Sequence, residues 1–378
     1  MRTLLLIVCS ALAALGCRAQ NPAATVVFQN GDSGYACFRI PALVRAADGT
    51  LVAFAEARRD GIADRGDIDL VVRRSADNGR TWGELTVVWD DAGNTCGNPA
   101  PVVVGETGRI VLLACWNRGP DHERDIETGR ADNTRRVFSM HSDDHGLTWS
   151  APEEITSSVK RPGWTWYATG PCHAIQKAKA PHKGRLVVPA NHKWVTPGGT
   201  VASNSHLLYS DDRGATWHIG AVSQPGGNES SVAELSNGDL MLNMRHYDRA
   251  DSLRLCAVSR DGGETWSRTW EEPQLIEPRC QGSLLNYAPH GGKPSRTLLF
   301  SNPRSLKREN MSVGVSRDNG RTWSRFVTVW KGRAAYSDLV CLPDGSVGIL
   351  YENGDPGGRE ALYRRISFET VSPGRLFD

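Results

Sequence analysis

The sequence predicts an all-β fold, a six-bladed β-propeller with Asp-box repeats, from two patterns that alternate along its 378 residues. The first pattern is the octapeptide Ser-x-Asp-x-Gly-x-Thr-Trp, called the Asp-box below. It occurs at residues 75–82, 142–149, 210–217, 259–266 and 316–323. Successive boxes start 67, 68, 49 and 57 residues apart. Because a four-stranded blade takes about 40 to 50 residues before loop insertions, each box is expected to mark one blade.

The residue types of the Asp-box suit a tight turn. An Asp two residues before a Gly can fold its carboxylate back onto backbone N–H groups, and the Gly can take the positive φ that the turn needs. The Trp is expected to fill the gap beside the next hairpin. The five box aspartates are therefore interpreted as structural.

The second pattern is a strand hairpin between the boxes, read as an apolar run, a polar turn and another apolar run. Its six copies are residues 39–56, 98–117, 172–191, 231–245, 283–304 and 337–352. Six hairpins alternating with five boxes predict six blades. The strand at residues 25–29 is expected to complete the last blade, which would leave no sheet edge open.

Composition favours one domain over residues 20–378, because no Pro/Gly/Ser-rich linker or charge block divides the chain. A net charge of +2 is too small to suggest a nucleic-acid partner, and the sequence has no basic stripe with interleaved aromatic residues. Seven cysteines outside the N-terminal segment are scattered through predicted strands, and we expect buried fillers and not a disulfide framework. Metal-ligand spacings are absent from the sequence, so no metal and no cofactor are predicted.

Residues 1–19 read as a secretion signal, with Arg2, an apolar stretch at 4–15 and the small residue Gly16. The apolar stretch is too short to span a bilayer. Two processing outcomes stay open: cleavage before Cys17, as in a bacterial lipoprotein, or cleavage after Ala19. We therefore expect an exported monomer that is periplasmic, secreted, or attached to the outer membrane through a lipid at Cys17.

Candidate site residues lie at the ends of the hairpins, because the innermost strands of a propeller end around one mouth. The residues at these ends are Arg39, Glu229, Arg245, Arg304, Tyr336, Asp338 and Glu352. Three of them are arginines that share one register in different blades, and such a cluster must be matched by an anion. Guanidinium groups suit a carboxylate, which they bind with paired, charge-assisted hydrogen bonds. The alternative is that these arginines line a solvated channel.

These residues resemble those of the exo-α-sialidases (neuraminidases), a family of six-bladed propellers with Asp-boxes. Residues 37–43 (Cys-Phe-Arg-Ile-Pro-Ala-Leu) look like the Phe-Arg-Ile-Pro motif of that family. The similarity includes residues 54–58, 95–99, 166–171 and 336–339. Boxes also occur in binding and sorting propellers, so the specific signal is their combination with the Arg motif, the three-Arg register and the Tyr/Glu pair.

The resemblance implies how a sialic acid carboxylate would be held. In the family three arginines clamp that group, and they correspond here to Arg39, Arg245 and Arg304. Glu352 matches a late glutamate that braces the first arginine, since an unpaired guanidinium in a closed site would be costly. Arg58 matches a fourth arginine near the carboxylate and the ring hydroxyls.

The resemblance also implies the catalytic residues. Tyr336 matches the nucleophile of the family, and Glu229 matches the base that takes its proton. A neutral phenol suits this substrate because the anomeric carbon carries its own carboxylate, which would repel an attacking Asp or Glu. Asp64, which lies 25 residues after Arg39, matches the general acid. The alternatives in the same loop are Asp60, Asp67 and Asp69.

The function implied is retaining hydrolysis of terminal α-linked sialic acid from glycoproteins, glycolipids and oligosaccharides through a tyrosyl-linked intermediate. Two enzyme alternatives stay open: a trans-sialidase, and a hydrolase that prefers a deaminated nonulosonic acid. An alternative from another class is a sialic-acid-binding propeller without turnover. The linkage preference depends on rim loops whose shape does not follow from the sequence.

Overall fold

A computed structural model describes residues 24–247 and 252–378, and the expected signal at 1–19 lies outside the described residues. The described strands form six antiparallel blades around a common centre, which confirms the predicted fold class. Short helices lie in the connections: α1 (Glu123–Glu127), α2 (Thr156–Val159), α3 (Arg359–Leu362) and α4 (Pro373–Phe377). Among the described residues, no helix has the length and apolar character needed to cross a membrane.

The first strand is β1 (Thr25–Gln29), and blades 1 to 3 follow it along the chain. Blade 1 contains β2 (Cys37–Arg45), β3 (Leu51–Arg58), β4 (Ile68–Ser75) and β5 (Thr86–Trp89). Blade 2 contains β6 (Thr95–Val103), β7 (Ile110–Asn117), β8 (Arg136–Ser142) and β9 (Glu153–Glu154). Blade 3 contains β10 (Trp164–Thr169), β11 (Ile175–Gln176), β12 (Leu186–Val195), β13 (Val201–Ser210) and β14 (His218–Val222).

Blades 4 to 6 complete the ring. Blade 4 contains β15 (Gly227–Glu234), β16 (Leu240–His246), β17 (Leu253–Ser259) and β18 (Arg268–Ile276). Blade 5 contains β19 (Ser283–Asn286), β20 (Leu298–Pro303), β21 (Glu309–Ser316) and the first half of β22 (Arg325–Cys341). Blade 6 contains the second half of β22, β23 (Val347–Asn353), β24 (Arg365–Val371) and β1.

Strand β1 closes the ring, as predicted. It pairs antiparallel with β24, and Thr25 lies opposite Phe368. Blade 6 is thus built from both ends of the described fold, and its outer edge is supplied by β1. The third predicted hairpin, residues 172–191, is only partly correct. The short strand β11 pairs with the start of β12, but β10, which precedes the predicted hairpin, pairs with the rest of that edge of β12.

The five Asp-boxes share one hydrogen-bonding pattern. In the first box, Asp77 Oδ1 accepts hydrogen bonds from the Thr81 amide at 2.9 Å and the Ser75 hydroxyl at 2.8 Å. The Gly79 amide donates to the Ser75 hydroxyl, and Gly79 has φ +87°. The same contacts recur at Asp144, Asp212, Asp261 and Asp318.

The box tryptophans pack against the preceding blade and not the next one. Trp82, at the end of the blade 1 box, contacts the Phe368 ring of blade 6. Trp149 of the blade 2 box contacts Phe54 of blade 1. The expectation of contact with the next hairpin was therefore wrong, because the Trp at the end of each box lies on the side of its blade that faces the preceding blade in the ring.

The hydrophobic core is divided among the blade interfaces. One cluster of buried apolar side chains fills each junction between neighbouring blades, including the junction of blades 6 and 1. The seven cysteines of the described residues are free thiols, and six of them are buried. This confirms the prediction of buried fillers for those six, while Cys341 is partly exposed. Packing between blades thus fixes how the inner strands meet at the mouth.

Candidate active site

A polar cavity of about 240 Å³ lies at the mouth of the propeller. Six of the eight predicted site residues line it: Arg39, Arg58, Asp64, Glu229, Arg245 and Tyr336. Glu352 lies directly behind Arg39, to which it is hydrogen bonded. Arg304 is not part of the lining. The structure therefore brings together seven of the eight predicted residues, which come from blades 1, 4 and 6.

β-Bulges aim these side chains into the cavity. The pairing of β2 with β3 is interrupted between Arg39 and Ala42, and that of β15 with β16 is interrupted around Glu229. Corresponding irregularities surround Asn98 in β6, Trp166 in β10 and Tyr336 in β22. A bulge bends its strand and redirects the side chain that it carries. Five of the six inner strands therefore present a cavity residue by the same device.

The centre of the cavity is a triangle of Tyr336, Glu229 and Arg245. The Tyr336 hydroxyl donates a hydrogen bond to Glu229 Oε1 at 2.5 Å. Arg245 Nη1 donates to Glu229 Oε2 at 2.6 Å and to the Tyr336 hydroxyl at 3.1 Å. A carboxylate in this position can take the phenolic proton, while the guanidinium stabilises the phenolate that results.

Burial and the Glu229 carboxylate raise the pKa of Tyr336 well above its ordinary value, although Arg245, Arg308 and Arg39 oppose the shift. The phenol is therefore neutral at rest. It needs a base in contact with it before it can act as a nucleophile, and Glu229 is in that contact.

Glu352 is the buried brace of the site. It is fully buried and receives the Arg39 guanidinium through Nε at 3.1 Å and Nη2 at 3.3 Å. Its two oxygens also accept the backbone amides of Ile40 at 2.9 Å and Tyr336 at 3.1 Å. Ile40 has φ +59°, a rare conformation for a β-branched residue that must be held by its surroundings. One carboxylate thus joins the first and last blades at the cavity.

Asp64 lies on the open side of the cavity, at the tip of the loop after β3. Its Oδ1 accepts hydrogen bonds from Arg58 Nη1 at 2.7 Å and Arg39 Nη1 at 3.2 Å. Arg58 is itself fixed by the buried Glu56 and donates to the carbonyl groups of Ile62 and Ala63 at 2.7 and 2.9 Å. Arg58 therefore shapes the loop that carries Asp64.

The Asp64 side chain remains 47% exposed although it contacts two buried arginines. Its desolvation opposes ionisation, but the guanidinium groups of Arg58 and Arg39 outweigh it and hold the pKa of Asp64 below its ordinary value. In the unliganded protein this carboxyl is therefore ionised. A group that neutralised Arg39 would raise its pKa.

The prediction for Arg304 needs correction. Strand β20 ends at Pro303, and the Arg304 guanidinium packs over the Phe326 ring at 3.8 Å. Arg308, four residues later, lines the cavity instead. The inner strand of blade 5 carries no bulge, and the backbone turns through the loop between β20 and β21 before an arginine reaches the mouth.

Arg308 is held in place by polar and aromatic contacts. Its Nη1 donates a hydrogen bond to the Tyr363 hydroxyl at 2.6 Å, and its Nη2 donates to the Arg279 carbonyl at 3.1 Å. Its guanidinium lies 5.5 Å from the centre of the Tyr336 ring. Together with Arg39 and Arg245, it supplies three cationic groups around that ring.

One wall of the cavity consists of residues that were not predicted as site residues. Trp166 stacks with the buried Arg135, whose guanidinium lies 4.2 Å from the ring, and Arg135 donates to Asn98 Oδ1 at 2.6 Å. Tyr247 packs against Arg245. The motifs at 95–99 and 166–171 contained the signal, but the sequence could not distinguish a cavity Trp from a core Trp.

The sequence is similar to those of several known proteins. A family model described as a BNR repeat-like domain matches residues 49–349. The chain is 34% identical over 337 residues to a sialidase of Micromonospora viridifaciens, covering 86% of this chain and 51% of the relative. It is 31% identical over 342 residues to a sialidase of Bacteroides fragilis, covering 85% and 61%.

A solved structure, the Hadza microbial sialidase Hz136, superimposes with a TM-score of 0.80 at 30% identity, covering 93% of this chain and 69% of that one. The chain spans about half of the Micromonospora relative and 61% of the Bacteroides relative. Since the family model covers most of the chain and these relatives of 30% identity or more are sialidases, the protein belongs to the sialidase family.

Proposed function

We propose that the protein is a retaining exo-α-sialidase that hydrolyses terminal α-linked sialic acid from glycoproteins, glycolipids and oligosaccharides through a tyrosyl-linked intermediate. The observation that carries this proposal is the contact of the Tyr336 hydroxyl with both Glu229 and Arg245, beside two further arginines. A phenol in contact with a base, surrounded by cations, suits attack on a sugar whose anomeric carbon carries a carboxylate.

The substrate carboxylate would bind to Arg39, Arg245 and Arg308, whose guanidinium groups converge on the cavity. Binding an anion there places the anomeric carbon beside the Tyr336 oxygen. It would also neutralise Arg39, one of the guanidinium groups that lower the pKa of Asp64, so the pKa of Asp64 should rise in the complex. The carboxylate of the substrate would thus help to protonate the group that serves as general acid.

In the first step, the Tyr336 oxygen attacks the anomeric carbon while Glu229 takes the phenolic proton. Asp64 gives its proton to the glycosidic oxygen as the bond to the leaving sugar breaks. In the second step, Asp64 removes a proton from water, and the water oxygen displaces Tyr336 from the anomeric carbon. Glu229 then returns its proton to the phenolate. The two inversions give net retention.

The experiment has two measurements. Proton NMR of the reaction with a simple sialoside should show the α-anomer as the first product, because two displacements retain configuration. A 2,3-difluorinated sialic acid should trap the intermediate, and mass spectrometry should find the added mass on the peptide that contains Tyr336. First release of the β-anomer, or label on another residue, would contradict the mechanism.

The open alternatives are separated by the same reaction. Addition of lactose should leave free sialic acid as the main product, whereas a trans-sialidase would transfer the sugar to lactose. Comparison of N-acyl and deaminated substrates identifies the preferred sugar. A binding propeller without turnover would retain affinity for sialic acid and release none.

We also propose that the protein is exported. The support is the N-terminal pattern of Arg2, an apolar stretch and a small residue before Cys17. Fractionation of cells that express the full chain should find it outside the cytoplasm. Substitution Cys17→Ser should leave a soluble product in the same compartment if a lipid holds the protein, and should change nothing if cleavage follows Ala19.

A further inference from the structure

Arg359 is a cationic group at the open rim of the cavity that the proposed hydrolysis does not use. It is the first residue of α3 and lines the same cavity as Tyr336 and Asp64. Its side chain is 67% exposed, and its Nη2 lies 4.0 Å from Asp64 Oδ2. The other two cations of Asp64, Arg39 and Arg58, are buried and reach the opposite oxygen, Oδ1. Arg359 therefore lies outside Asp64, toward solvent.

Hydrogen bonds from neighbouring residues fix the backbone around Arg359. Arg333 Nη1 donates hydrogen bonds to the carbonyl groups of Gly357 and of Gly358, the latter at 3.0 Å. The Asp355 amide donates to the Ala361 carbonyl at 2.9 Å, which closes the loop. The Arg359 guanidinium is thus presented from a supported turn, and the described residues give it no hydrogen bond from its side chain to the protein.

This position corresponds to the leaving sugar, an assignment that rests on the proposed function. A general acid must lie beside the glycosidic oxygen, so the sialic acid occupies the inner side of Asp64 and the leaving sugar the outer side. We propose that Arg359 is a specificity-determining residue that favours sialosides whose leaving sugar carries an anionic group beside the scissile bond. The anion is a carboxylate, as in a second sialic acid, or a sulfate ester.

Two physical arguments favour an anion over a neutral sugar. A guanidinium pairs with a carboxylate or sulfate through charge-assisted hydrogen bonds that a hydroxyl cannot match. While Asp64 is still ionised, before the substrate carboxylate is bound, it would also repel an approaching anionic leaving sugar, and Arg359 lies 4.0 Å from its Oδ2. Arg359 offsets that repulsion, so its effect should differ between anionic and neutral leaving groups.

The test compares kcat/KM for three substrates: an α2,8-linked disialyl lactose, a sialyllactose with a sulfate on the leaving sugar, and unmodified sialyllactose. Arg359→Gln should lower the ratio of anionic to neutral kcat/KM by roughly two- to fivefold, the range for an exposed ion pair. Arg364→Gln is the matched control, since Arg364 is an exposed arginine nearby that does not line the cavity. Arg364→Gln should leave the ratio unchanged. Arg359→Lys should retain part of the preference for anionic substrates.

A change in the ratio for only one anionic substrate identifies that anion as the source, carboxylate or sulfate. The ratio for the unmodified enzyme should also fall as salt is raised from 50 to 300 mM, because exposed charges are screened. An equal loss for anionic and neutral substrates would mean that Arg359 only adjusts Asp64, and the proposal would be overturned. The proposal would also be overturned if Arg364→Gln changed the ratio as much as Arg359→Gln does.

A binding measurement separates this proposal from the proposed function. In the Tyr336→Phe background, calorimetry with the same three compounds should show that Arg359→Gln weakens only the anionic ligands. If no sialoside is hydrolysed by the unmodified protein, the proposed hydrolysis fails, but this charge preference is still measured. Equal weakening of all three ligands would reject the role of Arg359 even if hydrolysis is found.

Discussion

Arg308 donates a hydrogen bond to the Tyr363 hydroxyl at 2.6 Å, and this contact holds its guanidinium near the ring of Tyr336. Arg308→Ala should therefore lower kcat/KM for a fluorogenic sialoside by roughly 10²-fold, since a charged partner of the substrate carboxylate is lost. Arg304→Ala is the control and should stay within about threefold, because Arg304 packs on Phe326. The opposite order of effects would contradict the assignment of the third arginine to Arg308.

Tyr336→Phe should remove most hydrolysis and leave binding intact. The variant loses the oxygen that attacks the anomeric carbon, while the Glu229–Arg245 contact at 2.6 Å remains. Turnover should fall by roughly 10³-fold or more, and calorimetry should find affinity for sialic acid little changed. Tyr287→Phe, which alters a hydroxyl bonded to the Gly345 carbonyl, should behave as the unmodified protein. Near-normal turnover in Tyr336→Phe would refute its role as nucleophile.

Asp64→Asn should slow substrates according to their leaving groups. A natural sialoside needs a proton on its leaving oxygen, so its kcat/KM should fall by roughly 10²- to 10⁴-fold. A 4-methylumbelliferyl sialoside leaves as a stabilised phenolate and should lose much less. The exposed Asp60, in the same loop, provides the control Asp60→Asn, which should change neither substrate. Equal losses for both substrates would argue against Asp64 as general acid.

Glu352→Gln should destabilise the fold as well as the site. The substitution leaves Arg39 buried without its carboxylate, which is expected to cost about 3 to 5 kcal/mol. The free energy of unfolding, measured by urea denaturation, should fall by that amount. Asp143→Asn breaks the exposed pair with Arg109 and should change it by less than about 1 kcal/mol. Similar values for the two variants would show that Glu352 is not a buried brace.

A buried histidine pair predicts how stability depends on pH. His206 Nε2 lies 2.8 Å from the Tyr167 hydroxyl, and its Nδ1 lies 3.0 Å from His192 Nδ1. Burial lowers the pKa of His192 to about 3 and that of His206 well below its ordinary value. The unfolded chain takes up protons on both rings below about pH 6.5, whereas the folded chain does not.

The contribution of these two rings to the free energy of unfolding is therefore fully present above pH 6.5, and it is lost as the pH falls toward 3. Between pH 7 and pH 5 each histidine should account for about 2 kcal/mol of the loss. Urea denaturation at both pH values should show a smaller loss for His206→Gln than for the unmodified protein. The exposed His218 supplies the control His218→Gln, which should keep the full loss.

The blade architecture could be predicted from the sequence because both repeats are local. Each box closes its own turn through contacts within eight residues, as at Asp77, and needs no distant partner. The direction in which the box Trp packs could not be predicted, since Trp82 meets Phe368 from the far end of the chain. Local patterns defined the elements, but the neighbours of each element depend on ring closure.

The candidate site could be predicted where an inner strand presents its residue at a bulge, as with Arg39, Glu229 and Tyr336. The prediction from strand register was wrong in blade 5, where the arginine that lines the cavity comes from a loop. The turn that brings Arg308 to the mouth depends on the hydrogen bond from the Arg304 amide to the Asn310 carbonyl and on φ +61° at Asn310. Neither feature leaves a periodic signal in the sequence.

The pairing of β1 with β24 has a consequence for biosynthesis. Arg39 is translated almost 300 residues before Tyr336 and more than 300 before Glu352. A nascent chain that ends before blade 6 therefore carries Arg39 but lacks both Tyr336 and Glu352. Activity is expected only after β23 and β24 have been made and β24 has paired with β1, and a chain that terminates before β23 should be inert.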